Sequence, residues 1–462
     1  MKLFFLLFFV LLSWVPTSLV AQAHSRPSPE VSRSNPNVLF ILCCKLSTDA
    51  IGAYGEKEVH TPNIDSLAET GMLFNNCYTP QSLCGPSRAS IITGAYPHGH
   101  GLVKNVYPTM PGGLPTIYQE PIPDPFRDTR FKLWYGFPFF LDISGYATGH
   151  IGKWHLGIGN PGYFDYWKSF NSLVRRWVGE PYKSAYRPDI QTDQGVRFIR
   201  EHADEPFFLY QSYYAPHEPH NPPKKYLEAC EGWDQAAYYA TVANIDENVG
   251  RLIQTLKEEG IYDNTLIIFS SDHGRTKKDR PGTTEGIGVP YDEVARVPLI
   301  MRLPGVFPEG EVWESGVSLV DLMPTIMDVT NISTQLSTNP RPDRPLIHGR
   351  SLLPAIENGN DVWDRPIIMQ NFPMEGMDNS LFEGRAIRTE RYKLIIRKFD
   401  IHPELRPGEL YDMKNDPGEE RNLYADPSHQ TVLKDLGLQL QQWGEAYDDP
   451  LSERLGGYAA AD

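Results

Sequence analysis

The stretch Ser82-Leu83-Cys84-Gly85-Pro86-Ser87-Arg88-Ala89-Ser90-Ile91-Ile92-Thr93-Gly94 places a cysteine where a helix begins. Pro86 suits a first helical turn and Gly94 a helix stop, so Cys84 faces the partial positive charge of a helix N-terminus, with Arg88 one turn along. That setting favours a thiolate, or any oxyanion formed there. The same residues also read as a buried free cysteine beside a surface arginine. Three further clusters carry chemistry: Gly152-Lys153-Trp154-His155, Ala215-Pro216-His217-Glu218-Pro219-His220 and Ser271-Asp272-His273-Gly274. Taken singly, the first is also a packing segment and the last a common turn. Taken together, Lys153 and Arg88 hold an anion, the histidines move protons, and Asp272 offers oxygen to a hard metal.

The elements that must position these residues are apolar runs of strand length. Asn37 to Leu42 is continuous and apolar, as for a strand buried on both faces of a parallel sheet, and it delivers Cys43, Cys44 and Lys45. Phe207 to Tyr210 leads to His217, and Thr265 to Phe269 leads to Asp272. A short strand from Gly145 runs into Lys153 and His155, which alternation puts on one face. Helical patterns lie between them. Thr61 to Thr70 is capped at both ends, and Trp233 to Glu259 carries Ile245, Val249, Leu252, Ile253 and Leu256 on one stripe before Gly260. Leu319 to Val329 is a further helix. This alternation predicts a doubly wound, mostly parallel α/β sheet whose functional loops gather at the strands' carboxyl ends. After a Pro-rich linker, Thr338 to Pro345, short strands and a helix from about Pro427 to Tyr447 predict a smaller antiparallel C-terminal subdomain. The divisions expected are a leader at 1–23, a catalytic domain at 36–345 and a C-terminal subdomain at 346–462.

Composition narrows the partners. A chain of 462 residues with 40% hydrophobic content buries a large core. Its net charge of -15 argues against nucleic acid, which requires a basic face. Lys2, the apolar run Leu3 to Leu12 and Ala21-Gln22-Ala23 fit a cleaved signal peptide, which predicts a secreted, periplasmic or lysosomal protein with no stable membrane anchor after cleavage. Five cysteines are too few and too unevenly spaced for a disulfide framework. Asn331-Ile332-Ser333 is a glycosylation sequon, relevant only in a eukaryotic host.

From Asn37 to about Tyr424 the chain resembles the formylglycine-dependent type I sulfatases of the alkaline-phosphatase-like superfamily. The most specific feature is Cys84-x-Pro86-Ser87-Arg88 followed by Thr93-Gly94, and the Lys153, His217 and Asp272 motifs match in order. The resemblance implies that a formylglycine-generating enzyme converts Cys84 to an aldehyde, whose hydrate attacks sulfate sulfur through one hydroxyl and releases sulfate through the other. It implies that Arg88 holds this hydrate, that Lys153 and His155 contact it and the sulfate oxygens, and that His217 binds substrate and protonates the leaving oxygen. It implies calcium as the cofactor, with Asp272, His273 and the modified Cys84 as ligands. The substrate class implied is a sulfated small molecule or glycan.

Three departures set this chain apart. An ungapped match of Asn37 to Leu46 puts Cys44 and Lys45 where the family carries two metal-binding aspartates. The swap moves the local charge from -2 to +1 with Cys44 as a thiol, and a divalent ion about 4 Å from the Lys45 ammonium is repelled by roughly 8 kcal/mol at an effective dielectric of about 20. Ile287 stands four residues before Tyr291, where the family commonly has a sulfate-binding lysine; Lys277, Lys278 and Arg280 are the nearby substitutes. Glu120 to Ile143, where a helix is expected, has no helical period. The sequence therefore supports a sulfuric ester hydrolase, with two alternatives. One is an impaired relative that binds sulfated glycans without turnover; the other is a phosphate or phosphonate ester hydrolase of the same superfamily. It also poses two fates for Lys45: a built-in cation beside Asp272, or a side chain turned to solvent.

Overall fold

Continuous apolar strands bury both faces, so they occupy the centre of a sheet and require helices on each side. In the computed structural model, the described residues are 35–56, 59–106, 136–157, 159–170, 177–178, 185–276, 287–333, 347–372, 383–398 and 408–461. The leader, the 338–345 linker and Lys277, Lys278 and Arg280 lie outside them. An eight-stranded sheet runs in the order Glu311–Trp313, Met72–Phe74, Leu299–Arg302, Thr265–Ser271, Asn37–Cys44, Phe207–Pro216, Ala147–Lys153, Tyr166–Phe170. Leu299–Arg302 is antiparallel to both its neighbours, while the central strands are parallel. Four adjacent central strands thus end on the same edge of the sheet, as the apolar runs predict.

Period-two alternation divides the core. Val38, Phe40 and Leu42 pack on one face with Ile91, Ile92 and Phe137. That face is covered by the helices Cys84–Thr93, Phe137–Ile143 and Leu322–Val329. Leu39, Ile41 and Cys43 face the other way, against Ile64, Phe198, Ile245, Val249 and Leu252. Those residues come from the helices Pro62–Glu69, Arg187–Glu201 and Ala236–Glu258, and the expected apolar stripe of the last is buried throughout. Phe137–Ile143 is a helix despite its lack of period, because Phe137, Phe140 and Leu141 are buried along one side and Pro138 sits in its first turn. Gly152 has φ of 105°, and a Cβ there would collide with the Ser212 carbonyl oxygen, so only glycine lets these two strands approach at the active edge.

The C-terminal part is a four-stranded antiparallel sheet, Ile367–Asn371, Gly384–Arg388, Tyr392–Arg397 and Gly408–Asp412. One face carries the helix Gln430–Tyr447 and a second helix, Pro450–Ala461, which the sequence pattern does not predict. Its small residues allow close helix contact: a Cβ at Gly437 or Gly456 would press on the opposing backbone. The other face packs on Tyr291 and Val294 of the large domain. Asp449, between the two helices, accepts from Arg385 Nε at 2.6 Å and Nη2 at 2.8 Å and from Gln370 Nε2 at 2.8 Å. Both members of this ion pair are 2% exposed. Asp449→Ala leaves the Arg385 charge buried and uncompensated, so it is expected to lower stability by about 3–5 kcal/mol. A reduced urea midpoint relative to wild type is the measurement, and an unchanged midpoint contradicts this account.

Candidate active site

Alternation decides which cysteine reaches the active edge. Cys44 lies on the same strand face as Phe40 and Leu42 and meets Cys84, their sulfurs 3.6 Å apart, whereas Cys43 enters the opposite core. Cys84 is the first residue of the helix Cys84–Thr93, which Gly94 closes with φ of 66°. Its sulfur lies 3.2 Å from His273 Nε2. On the strand Phe207–Pro216, Ser212 and Tyr214 share the face of Phe208 and Tyr210, which places them beside Arg88 and Lys153.

Arg88, buried rather than at the surface, organises the set. Its Nε donates to Asp272 Oδ2 at 2.9 Å, and its Nη1 donates to the Lys153 carbonyl and to Ser212 Oγ, each at 2.7 Å. One guanidinium therefore ties the cysteine helix to three strand ends. Among the described residues, its Nη2 has no hydrogen-bond partner. Asp272 Oδ1 accepts the backbone N–H groups of His273 and Lys45, at 2.9 and 3.2 Å. Burial pushes the Asp272 carboxyl up, but His273, Arg88 and Lys153 outweigh it and hold the group well below the usual carboxylate range. Lys153 Nζ donates to Cys44 Sγ at 3.1 Å and lies 4.8 Å from the centre of the Tyr214 ring. Although burial opposes its charge, the adjacent Cys44 and Cys84 raise its pKa above the ordinary lysine value. Cys84 is drawn down to about 6, chiefly by its hydrogen bond with Cys44 against the effect of burial, with Lys153 and Arg88 assisting. Burial raises Cys44 well above a free thiol.

Two expectations change. The strand ends at Lys153, and His155 follows in a left-handed conformation at φ of 61°, so strand alternation does not put the two on one face. The turn brings His155 to the same buried cluster instead, where burial, then Lys153 and Arg88, hold it neutral. Lys45 takes neither fate posed for it. Its backbone, at φ of 62°, turns its buried ammonium to Glu218 Oε2 at 3.0 Å, and its N–H donates to Asp272. Cys44 joins the cluster at the position the sequence flagged, and Glu218, Tyr214 and Ser212, to which the sequence motifs assign no role, join it too. The signals for those three are strand parity and adjacency to His217. Ile287 is buried, as its side chain suits.

His217 stacks on Tyr214 at 4.5 Å between ring centres, and its Nδ1 lies 3.0 Å from the Glu218 carbonyl and 3.1 Å from its carboxylate. The arrangement is a buried, donor-rich cluster at the carboxyl edge of a parallel sheet, built around Cys84 at a helix N-terminus. It can hold a tetrahedral oxyanion against Arg88 and Lys153 and present imidazoles to a leaving oxygen.

The sheet and its edge site are those of a mostly parallel α/β enzyme fold with its functional groups at the strands' carboxyl ends. A putative sulfatase structure from Bacteroides fragilis superposes with a TM-score of 0.72 at 22% identity, over 93% of this chain and 99% of that one. The sulfatase family profile matches residues 36–332, and the profile of the N-sulphoglucosamine sulphohydrolase C-terminal region matches 289–446. The chain belongs to the sulfatase family, the sulfuric ester hydrolases. It is 25% identical to an N-acetylglucosamine-6-O-sulfatase of Bacteroides thetaiotaomicron, over 94% of this chain and 91% of that protein. It is 28% identical to the human N-sulphoglucosamine sulphohydrolase, over 90% and 92% respectively. Among the described residues, no helix is long and apolar enough to cross a membrane.

The neutral state of His217 gives a pH prediction. Burial, with Lys153 and Lys45 nearby, lowers it to about 4. An unfolded histidine titrates near about 6.5. Between these values the unfolded chain binds a proton that the folded chain does not, so this contribution is present above the window and is lost as pH falls through it. Urea unfolding should show wild type losing on the order of 3 kcal/mol more than His217→Gln between neutral pH and about pH 4. Parallel pH profiles for the two proteins would contradict the assignment.

Proposed function

We propose that the protein hydrolyses sulfate esters of a sulfated carbohydrate, with residue 84 as its nucleophile after oxidation of Cys84 to formylglycine. The observation that carries this reading is the convergence of Cys84, Arg88 and Lys153 at one edge with His155, His217 and His273 around them. Support for a glycan substrate comes from the relatives named for N-acetylglucosamine-6-O-sulfate and N-sulphoglucosamine chemistry. The leader favours an exported protein processed after Ala23, with catalytic residues at 36–345 and a C-terminal subdomain at 346–462.

The unpartnered Nη2 of Arg88 and the helix N-terminus suit a polar oxygen group at residue 84. The hydrated aldehyde supplies one hydroxyl for attack on sulfur and a second for release of sulfate. Arg88 orients that group from beneath through a guanidinium locked on Asp272, Ser212 and the Lys153 carbonyl. Lys153 neutralises sulfate oxygens, its ammonium kept charged by its surroundings. His217, neutral at rest, takes up a proton as the sulfate-ester monoanion brings negative charge beside it, and gives that proton to the departing alcohol oxygen. Calcium does not fit the donor set: beside residue 84, the candidate ligands among the described residues are Cys44, His273 and a single carboxylate, Asp272, too few hard oxygens for that ion.

A second reading, binding of sulfated glycan without turnover, is favoured by buried Ile287 and by Cys44. Protein co-expressed with the formylglycine-generating enzyme separates the readings. The hydrolase predicts an aldehyde in the peptide containing Cys84, turnover of an aryl sulfate over the matching aryl phosphate, and a loss of at least about 1000-fold in kcat/KM for Cys84→Ala. Aldehyde formation without turnover supports the binder, and preferred turnover of the phosphate makes the protein a phosphatase.

A further inference from the structure

We propose that Cys44, Cys84, Asp272 and His273 form a tetrahedral site for a thiophilic divalent cation of the zinc type, in the form of the protein that retains Cys84 as a thiol. One donor atom from each of the four lies within 4.8 Å of the others, and all four residues are buried. The individual edges are 3.6 Å between the two sulfurs, 3.2 Å from Cys84 Sγ to His273 Nε2, and 3.7 Å from Nε2 to Asp272 Oδ1. Zinc bonds of about 2.3 Å to sulfur and about 2.0–2.1 Å to nitrogen or oxygen give tetrahedral edges of roughly 3.3–3.8 Å. These three edges fall close to that range, and shifts of about 1 Å or less bring the remaining donor pairs, all within 4.8 Å, into it.

Their supporting contacts match a metal site as well. His273 Nδ1 lies 2.8 Å from the Gly274 carbonyl, which fixes the proton on Nδ1 and leaves the Nε2 lone pair directed at Cys84. Asp272 is oriented by Arg88 Nε on one oxygen and by two backbone N–H groups on the other. Cys44 Sγ accepts from Lys153 Nζ, a contact that favours the thiolate a metal requires. Lys45, expected to repel a cation here, has its ammonium held by Glu218. Two thiolates and a carboxylate carry -3. A divalent ion with Arg88 and Lys153 brings the cluster to +1, whereas a calcium ion would need six to eight oxygen donors. With Cys44 and Cys84 supplying sulfur, the edge suits a soft cation rather than a hard one. Oxidation of Cys84 removes one of the two sulfurs, so metal binding and formylglycine formation draw on the same thiol.

The test uses full-length protein expressed without the formylglycine-generating enzyme, stripped of metal and titrated with zinc, calcium or cobalt(II) as the only added cation. The expected result is one zinc per chain by plasma mass spectrometry, no stoichiometric calcium, and a thiolate-to-cobalt charge-transfer absorption. Cys44→Ser should abolish that absorption and weaken zinc by more than about 100-fold, beyond what loss of an outer-shell partner costs. Cys43→Ala, on the opposite face, should leave both unchanged. If Cys44→Ser fails to fold by circular dichroism, the paired variant Cys44→Asp with Lys45→Asp is the second test, and it should exchange zinc preference for calcium. Stoichiometric calcium in wild type, or zinc affinity indifferent to Cys44, overturns the proposal. None of these measurements scores ester hydrolysis, so failure here leaves the sulfatase reading standing, and loss of turnover leaves this one.

Discussion

The buried ion pair between Arg88 and Asp272 is the interaction on which the active edge depends. Neither residue is more than 1% exposed, and each charge is intolerable in that environment without the other. A pair of this kind adds little net stability over an apolar contact, but removing one partner strands the other, so the geometry has few alternatives. Because Arg88 also holds the Lys153 carbonyl and Ser212, the helix bearing Cys84 is locked to three strands at once. Ser87 adds a second tie, donating to the Asp272 carbonyl at 2.6 Å. The position of Cys84 is therefore set by polar bonds that cannot slide, where apolar packing alone permits adjustment.

Around that pair the site resolves the charge problem created by Lys45. A left-handed residue directly after the strand turns the lysine side chain away from the sulfur cluster and leaves its N–H on Asp272. Glu218 receives the ammonium, and also lies against His217. The three residues form a connected polar group that meets the Cys44, Cys84, Asp272 and His273 cluster through the Lys45 N–H.

Much of this was legible before folding. The apolar runs at Asn37, Phe207 and Thr265 became neighbouring parallel strands because residues buried on both faces have no other stable place. The stop at Gly94 and the stripe of the helix ending at Glu258 also followed from local chemistry. The helix Phe137–Ile143 was not legible, since its burial comes from the sheet and from Phe208 rather than from its own period. The terminal helix Pro450–Ala461 was hidden for a similar reason: its small residues pack against a neighbour, and they carry no strong amphipathic pattern.

Sequence by itself determined which residues are chemically capable, Cys84, Arg88, Lys153, His155, His217, Asp272 and His273, and that they follow strands or open a helix. Residue type and local period carry that information without reference to the rest of the chain. Tertiary structure decided which of two adjacent cysteines meets Cys84, where the Lys45 ammonium goes, and that Ser212 and Glu218 belong to the site. Those outcomes depend on which strands lie side by side and on a left-handed turn, and both are set by packing between segments more than a hundred residues apart in sequence.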